Sequence, residues 1–99
     1  ANIRPGKQIY PKKGVYCVNV LFSGKKFKGI ANFGERPTVH GINLLLEVYI
    51  FKFNRDIYGK ELTVEFLTFI RPEKKYKDFK ILTNQIQKDV KKAKKYHKI

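Results

Sequence analysis

Four segments rich in β-branched and aromatic residues follow one another along the chain with only short breaks between them. They cover residues 15–22, 27–33, 44–53 and 61–70. Breaks of this length join antiparallel strands, because a parallel connection needs a crossover of a dozen or more residues, usually a helix. The order of segments therefore predicts an antiparallel sheet and argues against a parallel α/β fold.

Turn-forming residues mark the breaks between these segments. Residues 1–14 hold two of the four prolines and two glycines, which predicts a loop, and Ser23-Gly24-Lys25 predicts a hairpin turn. A further loop is predicted over residues 34–41, and a turn over residues 54–60. Gly29 weakens the second strand and predicts a bulge there.

A helix is predicted after the last strand. Arg71-Pro72 is expected to break that strand, and Asp78 stands where an N-cap is expected, ahead of a helix that runs to about Lys95. Apolar residues recur at three- and four-residue steps on one face, at Phe79, Leu82, Ile86, Val90 and Ala93. The remaining face is polar and is expected to be solvated, and His97 is expected in solvent. Strands in series with one terminal helix predict a mainly β protein, an antiparallel barrel capped by a helix.

The net charge of +14 comes almost entirely from lysine. Clustered cations attract polyanions, but arginine is the preferred residue for bidentate recognition of phosphates and bases. Arginine occurs only at Arg4, Arg36, Arg55 and Arg71. The charge therefore favours a solvated lysine-rich surface over specific nucleic-acid binding. At 99 residues the chain is expected to form a single domain, residues 1–99, with one modest core.

The single cysteine, Cys17, excludes an internal disulfide and is expected to pack as a small apolar residue. No segment approaches the roughly 20 apolar residues of a membrane span, and no signal peptide opens the chain. These features predict a cytoplasmic protein without a membrane partner.

Glu47 is the residue that the pattern singles out for chemistry. It lies in the strongest predicted strand, in which both faces are largely apolar. A carboxylate in such a strand lies either near its open end or partly buried with a raised pKa, which suits a general base. The alternative from the residues alone is a rim position paired with a lysine.

The other reactive residue types offer little. His40 has no second His or Cys at ligand spacing, so a transition-metal site is not predicted, whereas a hard cation held by oxygens remains open. The only serine, Ser23, lies in a lysine-rich turn, and neither a Walker pattern nor G-x-G-x-x-G is present. On the residues alone, the prediction is a small basic β-barrel of open function.

Four stretches taken together resemble the riboflavin kinase family, the C-terminal module of bifunctional bacterial riboflavin kinase/FAD synthetases. They are PKKGVYCV (residues 11–18), GIANFGERPT (29–38), LEVYIFKFNRDIYGK (46–60) and FIRPEKKYKDFKILTNQIQKDVKKAK (69–94). They follow the family's order and cover most of the chain. The resemblance implies a six-stranded-type Greek-key antiparallel β-barrel with a C-terminal α-helix, and transfer of the ATP γ-phosphate to the 5′-hydroxyl of riboflavin, giving FMN and ADP.

The resemblance also implies roles for individual residues. Glu47 matches the family's general base, and Asn2 matches the last residue of the P-T-A-N motif, which holds ATP phosphates and a divalent cation such as Mg²⁺. Tyr58 and Gly59 match a turn over the nucleotide. The loop expected to close over the flavin contains Arg71, Glu73 and Tyr76.

The chain departs from the family at its beginning. It starts at Ala1-Asn2, so the Pro and Thr of P-T-A-N, the first strand and the loop before it are not in the sequence given. We therefore expect a domain incomplete at its N-terminus, with weak ATP binding and weak or no kinase activity. The resemblance further implies an N-terminal FMN adenylyltransferase domain in the parent protein.

Two alternatives remain from the sequence. One is a nucleic-acid-binding barrel, in which lysines contact phosphates and exposed aromatic side chains stack on bases. The other is a non-catalytic module that retains the fold and binds flavin or a partner. Nucleic acid is the less favoured partner, because Tyr49, Phe51 and Phe53 lie in a strand that is apolar on both faces.

Overall fold

One antiparallel sheet and one helix make up the computed structural model, which describes residues 2–3, 11–52 and 62–99. The elements are β1 (Asn2–Ile3), β2 (Gly14–Phe22), β3 (Lys25–Thr38), β4 (Gly41–Ile50), β5 (Thr63–Pro72) and α1 (Phe79–His97). The strand order is β1-β4-β3-β2-β5. Hairpins join β2, β3 and β4, and β5 returns to lie beside β2, which is the Greek-key arrangement. The predicted mainly β fold with a terminal helix is confirmed.

The first hairpin turn lies where the sequence predicts it. Ser23 and Gly24 both have positive φ, at 50° and 74°, as the tight turn of a two-residue hairpin requires. The loop predicted over residues 34–41 is wrong for its first five residues, because β3 continues to Thr38 and pairs with β4 throughout. Pro37 is tolerated there because β2 pairs with β3 only as far as Phe33, so this part of β3 is an edge.

The bulge predicted at Gly29 is also wrong. The pairing of β3 runs through Gly29 without a shift on either side, and a Cβ at this position would lie 2.5 Å from the carbonyl oxygen of Tyr49. Glycine therefore permits close approach of the two backbones. The irregularities lie instead between β2 and β5, where the register shifts twice. The two extra residues of β5, Leu67 and Ile70, pack against the helix-facing core.

Two apolar clusters hold the elements together, one on each face of the sheet. The larger contains Tyr16, Val18, Val20, Ala31, Phe33, Leu46, Val48 and Ile50. The smaller lies between sheet and helix and contains Cys17, Phe51 and Ala93, with Ile30, Leu67, Ile70 and Val90 packed against it. Cys17 is fully buried, as expected for a small apolar side chain. Because strand residues alternate between faces, the residues between the members of the larger cluster point toward the helix.

The helix begins at Phe79 and is capped as predicted, since the Asp78 side chain accepts a hydrogen bond from the Lys80 backbone nitrogen. Three expectations about its faces are wrong. Phe79 is 82% exposed, although it was expected on the apolar stripe. Asp89, expected on the wet face, is buried, because it has a cationic partner on β5. His97, expected in solvent, belongs to the helix and packs edge-on against Phe51.

The last strand was predicted to end before Arg71-Pro72, but it includes both residues and ends at Pro72. The predicted turn over residues 54–60 lies outside the described residues. Among the described residues, no helix combines the length and the apolar character that crossing a membrane requires.

Candidate active site

A cavity of about 1060 Å³ lies between the helix-facing side of the sheet, the helix and the segment that joins β5 to α1. Its lining combines apolar residues with a group of charged ones. The residues that line it include Val15, Asn32, Arg36, Glu47, Arg71, Glu73, Tyr76 and Asp89. A partly apolar pocket with a few convergent polar groups is the usual form of a small-molecule site.

A single cross-strand row carries several of these residues. The strand registers pair Asn2 with Glu47, Glu47 with Asn32, Asn32 with Val15, and Val15 with Arg71. Residues directly opposite in antiparallel strands share one face of the sheet. The row therefore crosses all five strands, and it connects residues that lie up to 69 positions apart in the sequence.

Arg36 on β3 joins two carboxylates at the cavity. Its Nη2 contacts Oε1 of Glu47, and its Nη1 lies 2.8 Å from Oε1 of Glu73. Glu73 also accepts a hydrogen bond of 3.3 Å from the backbone nitrogen of Glu35, over Gly34, where an added Cβ would overlap the carboxylate. Partial burial lowers the pKa of Arg36, but hydrogen bonds to the two carboxylates outweigh it, so the pKa is raised. Arg36 is thus a fixed positive charge between strand β4 and the segment after β5.

Arg71 is held from the helix. Its Nε lies 2.9 Å from both carboxylate oxygens of Asp89, and its Nη2 lies 2.8 Å from Oδ2. Gln85 donates a further hydrogen bond of 3.0 Å to Oδ1 of Asp89. Buried charges are normally paired in this way, because an isolated charge loses its hydration without compensation. The pair fixes the Arg71 guanidinium beside the cavity and ties β5 to α1.

Tyr76 completes this side of the cavity. The Arg71 guanidinium carbon lies 5.7 Å from the centre of its ring, and Nζ of Lys74 lies 5.6 Å from it. Both distances are within the range of a cation–π contact. An aromatic ring and two cations, one on β5 and one in the segment between β5 and α1, therefore border the cavity.

The structure brings most of the predicted site residues together. Glu47, Arg71, Glu73 and Tyr76 line the same cavity. The backbone of Asn2 is paired with that of Glu47 on the adjacent strand. Tyr58 and Gly59 lie outside the described residues. The roles assigned to all of these residues remain predictions.

Three further cavity residues carry no role in the sequence-based analysis. Arg36 lies within GERPT, part of a stretch that resembles the riboflavin kinase family, so the sequence does point to this region. Asp89 was hidden by the polar composition of the helix, and only its partner on β5 reveals it. Asn32 occurs between apolar residues in GIANFG, a pattern that does not by itself separate a structural asparagine from a functional one.

The alternative interpretation of Glu47, a rim position paired with a lysine, is wrong about the partner. Glu47 does pair with a cation, but the partner is Arg36 rather than a surface lysine. The Glu47 side chain is 41% exposed, so it lies neither in the apolar core nor in free solvent. This position leaves the carboxylate accessible from the cavity.

Comparison with known proteins gives a consistent result. Residues 1–97 match the family described as "Flavokinase: Riboflavin kinase". The chain is 52% identical over 95 residues to the bifunctional riboflavin kinase/FMN adenylyltransferase of Haemophilus influenzae, and 41% identical over 90 residues to that of Escherichia coli K12. These alignments cover 95% and 90% of the chain but only 31% and 29% of the relatives.

A Bacillus subtilis protein of the same description is 36% identical over 91 residues, covering 89% of the chain and 29% of the relative. A solved structure described as a macrolide-efflux protein from Streptococcus pneumoniae superimposes with a TM-score of 0.75 at 35% identity, covering 84% of the chain and 27% of that protein. The chain thus spans about a third of the length of its relatives. With a family match over residues 1–97 and four of the predicted site residues lining one cavity, this chain belongs to the riboflavin kinase family.

Proposed function

We propose that the chain transfers the γ-phosphate of ATP to the 5′-hydroxyl of riboflavin, with the flavin bound in the cavity and Glu47 as the general base. The observation that carries the proposal is the convergence of Glu47, Arg71, Glu73 and Tyr76 on one cavity, from β4, β5 and the following segment. The family match supports riboflavin as the acceptor. Neither the family nor the relatives favour the nucleic-acid-binding alternative.

The chemistry asks for positioning more than for covalent catalysis. Phosphoryl transfer proceeds through a loose transition state, so alignment of acceptor and donor and neutralisation of charge account for most of the rate. The Glu47 carboxylate accepts the proton of the reacting hydroxyl, whose oxygen bonds to the γ-phosphorus while the bond from that phosphorus to the β,γ-bridging oxygen breaks and ADP leaves. The aromatic ring of Tyr76 and the apolar lining suit the flat flavin ring.

The Arg36 contacts give Glu47 a defined position. Arg36 fixes the carboxylate from one side and leaves it 41% exposed. The same guanidinium contacts Glu73 in the segment between β5 and α1. We infer that this segment is the flap that covers the flavin and excludes water from the transfer step.

A divalent cation such as Mg²⁺ fits the residues present. Asn2, whose backbone pairs with that of Glu47, is the proposed ligand, and Mg²⁺ is commonly bound through one or two protein oxygens together with substrate phosphates. The described residues contain no group of three or more His, Cys, Asp or Glu that could hold an ion without phosphates. When bound, the cation neutralises charge on the transferred phosphoryl group.

We also propose the wider setting. The relatives are described as bifunctional and are about three times as long as the chain, which supports an adjoining FMN adenylyltransferase domain as its partner. Residues 1–99 form one domain in this proposal. A cytoplasmic location and a role for Tyr58 and Gly59 at the nucleotide stay predictions from the sequence.

The proposal is tested with two readouts on the chain. Quenching of flavin fluorescence reports riboflavin binding, and chromatographic separation of FMN after incubation with Mg-ATP reports transfer. Glu47→Gln keeps the shape of the side chain but removes the base, so we expect FMN formation to fall by about 10²- to 10⁴-fold while riboflavin still binds. Glu65→Gln is the matched control, because Glu65 lies on β5, contacts Asn19 and does not line the cavity.

Three outcomes contradict the proposal. Absence of saturable quenching shows that the cavity does not take riboflavin. Equal FMN formation by wild type and Glu47→Gln removes Glu47 as the base. Riboflavin binding without any FMN from the wild-type chain agrees with the weak or absent kinase activity expected from the sequence, and it favours a flavin-binding module that does not catalyse transfer.

A further inference from the structure

Asn32 has a buried polar atom without a partner at the centre of the cross-strand row. Its Oδ1 is buried and accepts no hydrogen bond from the described residues. Most buried polar atoms in proteins are hydrogen-bonded, and an unpaired one destabilises the folded state. Asn32 lines the cavity, and rotation of its amide would turn Oδ1 toward a molecule bound there, which would then supply the missing bond.

The register places Asn32 directly opposite Glu47. Paired residues on antiparallel strands have Cα atoms about 5 Å apart and point to the same face. A ligand hydroxyl that reaches Glu47 therefore has its neighbouring carbon atoms beside Asn32. In riboflavin those carbons carry the remaining hydroxyls of the ribityl chain, while the flavin ring lies at the far end.

The chemistry of the amide selects the kind of group that binds. An amide offers an acceptor at one end and donors at the other, and a hydroxyl both donates and accepts. A hydroxyl therefore satisfies Asn32 whichever end faces the cavity. A phosphate oxygen only accepts, so it can bond only the donor end of the amide.

We propose that Asn32 is a specificity-determining residue that binds a secondary hydroxyl of the ribityl chain and so holds the terminal hydroxyl at Glu47. This inference rests on the proposed function, because it takes riboflavin as the occupant of the cavity. It predicts that the chain selects flavins with a hydroxylated side chain. It also predicts that Asn32 weakens the unliganded fold and strengthens the complex.

The test is a coupling measurement on the full chain. Flavin fluorescence quenching gives the Kd of riboflavin, of its 2′-, 3′- and 4′-deoxy analogues, and of lumiflavin, which has no ribityl chain. Wild type is compared with Asn32→Leu, which replaces the amide by an apolar group of similar length. The control is Asn19→Leu, since Asn19 is also a strand asparagine but bonds to Glu65 outside the cavity.

We expect Asn32→Leu to weaken riboflavin binding about tenfold, because one hydrogen bond is lost and the ribityl hydroxyl is left unpaired. For one of the deoxy analogues and for lumiflavin, wild type and Asn32→Leu should bind equally, because the partner hydroxyl is absent. Urea denaturation should show that unliganded Asn32→Leu is at least as stable as wild type, which a purely structural asparagine does not predict.

Equal loss for riboflavin and for every analogue overturns the inference, as does an unchanged Kd for riboflavin. Either result leaves the proposed function standing, because riboflavin still binds to wild type. Failure of wild type to bind riboflavin overturns the proposed function and this inference with it. Should Asn32→Leu fail to fold, Asn32→Ala provides the same comparison, because it also removes the amide and adds no other hydrogen-bonding group.

Discussion

Asp89 of the helix and Arg71 of β5 form the most buried ion pair among the described residues, with side chains 4% and 17% exposed. Arg71 donates from both Nε and Nη2, so the planar guanidinium matches the carboxylate at two atoms. Because Arg71 also lines the cavity, one interaction couples the docking of the helix to the geometry of the site. Stability and flavin binding should therefore respond together to a change at Asp89.

We predict that Asp89→Asn lowers the free energy of unfolding by about 3 kcal/mol, because it leaves the Arg71 cation without its counter-charge. Urea denaturation followed by circular dichroism measures the change. Asp78→Asn is the matched control, since it makes the same substitution at the N-cap, where Asn serves as well as Asp. Equal loss for both variants would show that the pair contributes nothing specific.

Gly34 lies under the carboxylate of Glu73, where a Cβ would overlap it. We predict that Gly34→Ala moves Glu73 away from Arg36 and weakens riboflavin binding several-fold. The free energy of unfolding should change by less than about 1 kcal/mol, because a flexible side chain can yield and the substitution restricts the unfolded chain. Fluorescence titration and urea denaturation measure the two effects.

Gly29→Ala is the contrasting variant for this prediction. There the added Cβ meets the backbone oxygen of Tyr49 at 2.5 Å, and backbone within the sheet cannot yield cheaply. We expect a clear loss of stability. If Gly34→Ala is the more destabilising of the two, the role of Gly34 is not simply to leave room for the Glu73 carboxylate.

Local pattern predicts the elements of this fold well, because each depends on neighbours in sequence. The turn at Ser23-Gly24 needs positive φ at two adjacent residues, and the N-cap at Asp78 needs an oxygen two residues before a free backbone nitrogen. Both features depend only on residues within a few positions of each other in the sequence. The strands, the hairpin and the helix start were predicted for this reason.

The failures concern residues whose environment comes from distant segments. Asp89 looks like a surface residue until β5 supplies Arg71, and His97 looks like a tail residue until Phe51 supplies a surface for its ring. The site shows the same division. The apolar pattern of its strand was enough to predict a role for Glu47. Its contact with Arg36 and its register with Asn32 depend on the pairing of β3 with β4, which the local sequence does not contain.

His97 provides a direct test of this long-range packing. It is 8% exposed, and its Nε2 lies 3.2 Å from the carbonyl oxygen of Gly29, as expected for a ring protonated on that nitrogen. We predict that His97→Ala lowers the free energy of unfolding by about 2 kcal/mol, through loss of the hydrogen bond and of the aromatic contact. His40→Ala, at the exposed turn between β3 and β4, should change it little. Equal urea midpoints for the two variants would contradict the prediction.

Cys17 gives the fold a pH dependence of known sign. The thiol is fully buried and its Sγ lies 3.7 Å from the carbonyl oxygen of Ala93. Burial raises the pKa of Cys17 above its ordinary value of 9.0, because the thiolate is disfavoured in the core. The folded state therefore holds its proton where the unfolded chain begins to lose it. This contribution is complete below the ordinary thiol pKa and is lost as the pH rises through and above it.

We predict that the urea midpoint of wild type falls as the pH rises from about 8 to about 10, the range over which an unfolded thiol ionises. Burial also raises the pKa of Tyr16, but from an ordinary value of 10.0, so its effect begins about one pH unit above that of Cys17. Cys17→Ala should start at a lower midpoint because it leaves a cavity, yet lose less between the two pH values. Parallel losses in wild type and variant would show that other groups cause the alkaline destabilisation. Native Cys17 should also react slowly with a thiol reagent at the higher pH and rapidly once urea unfolds the chain.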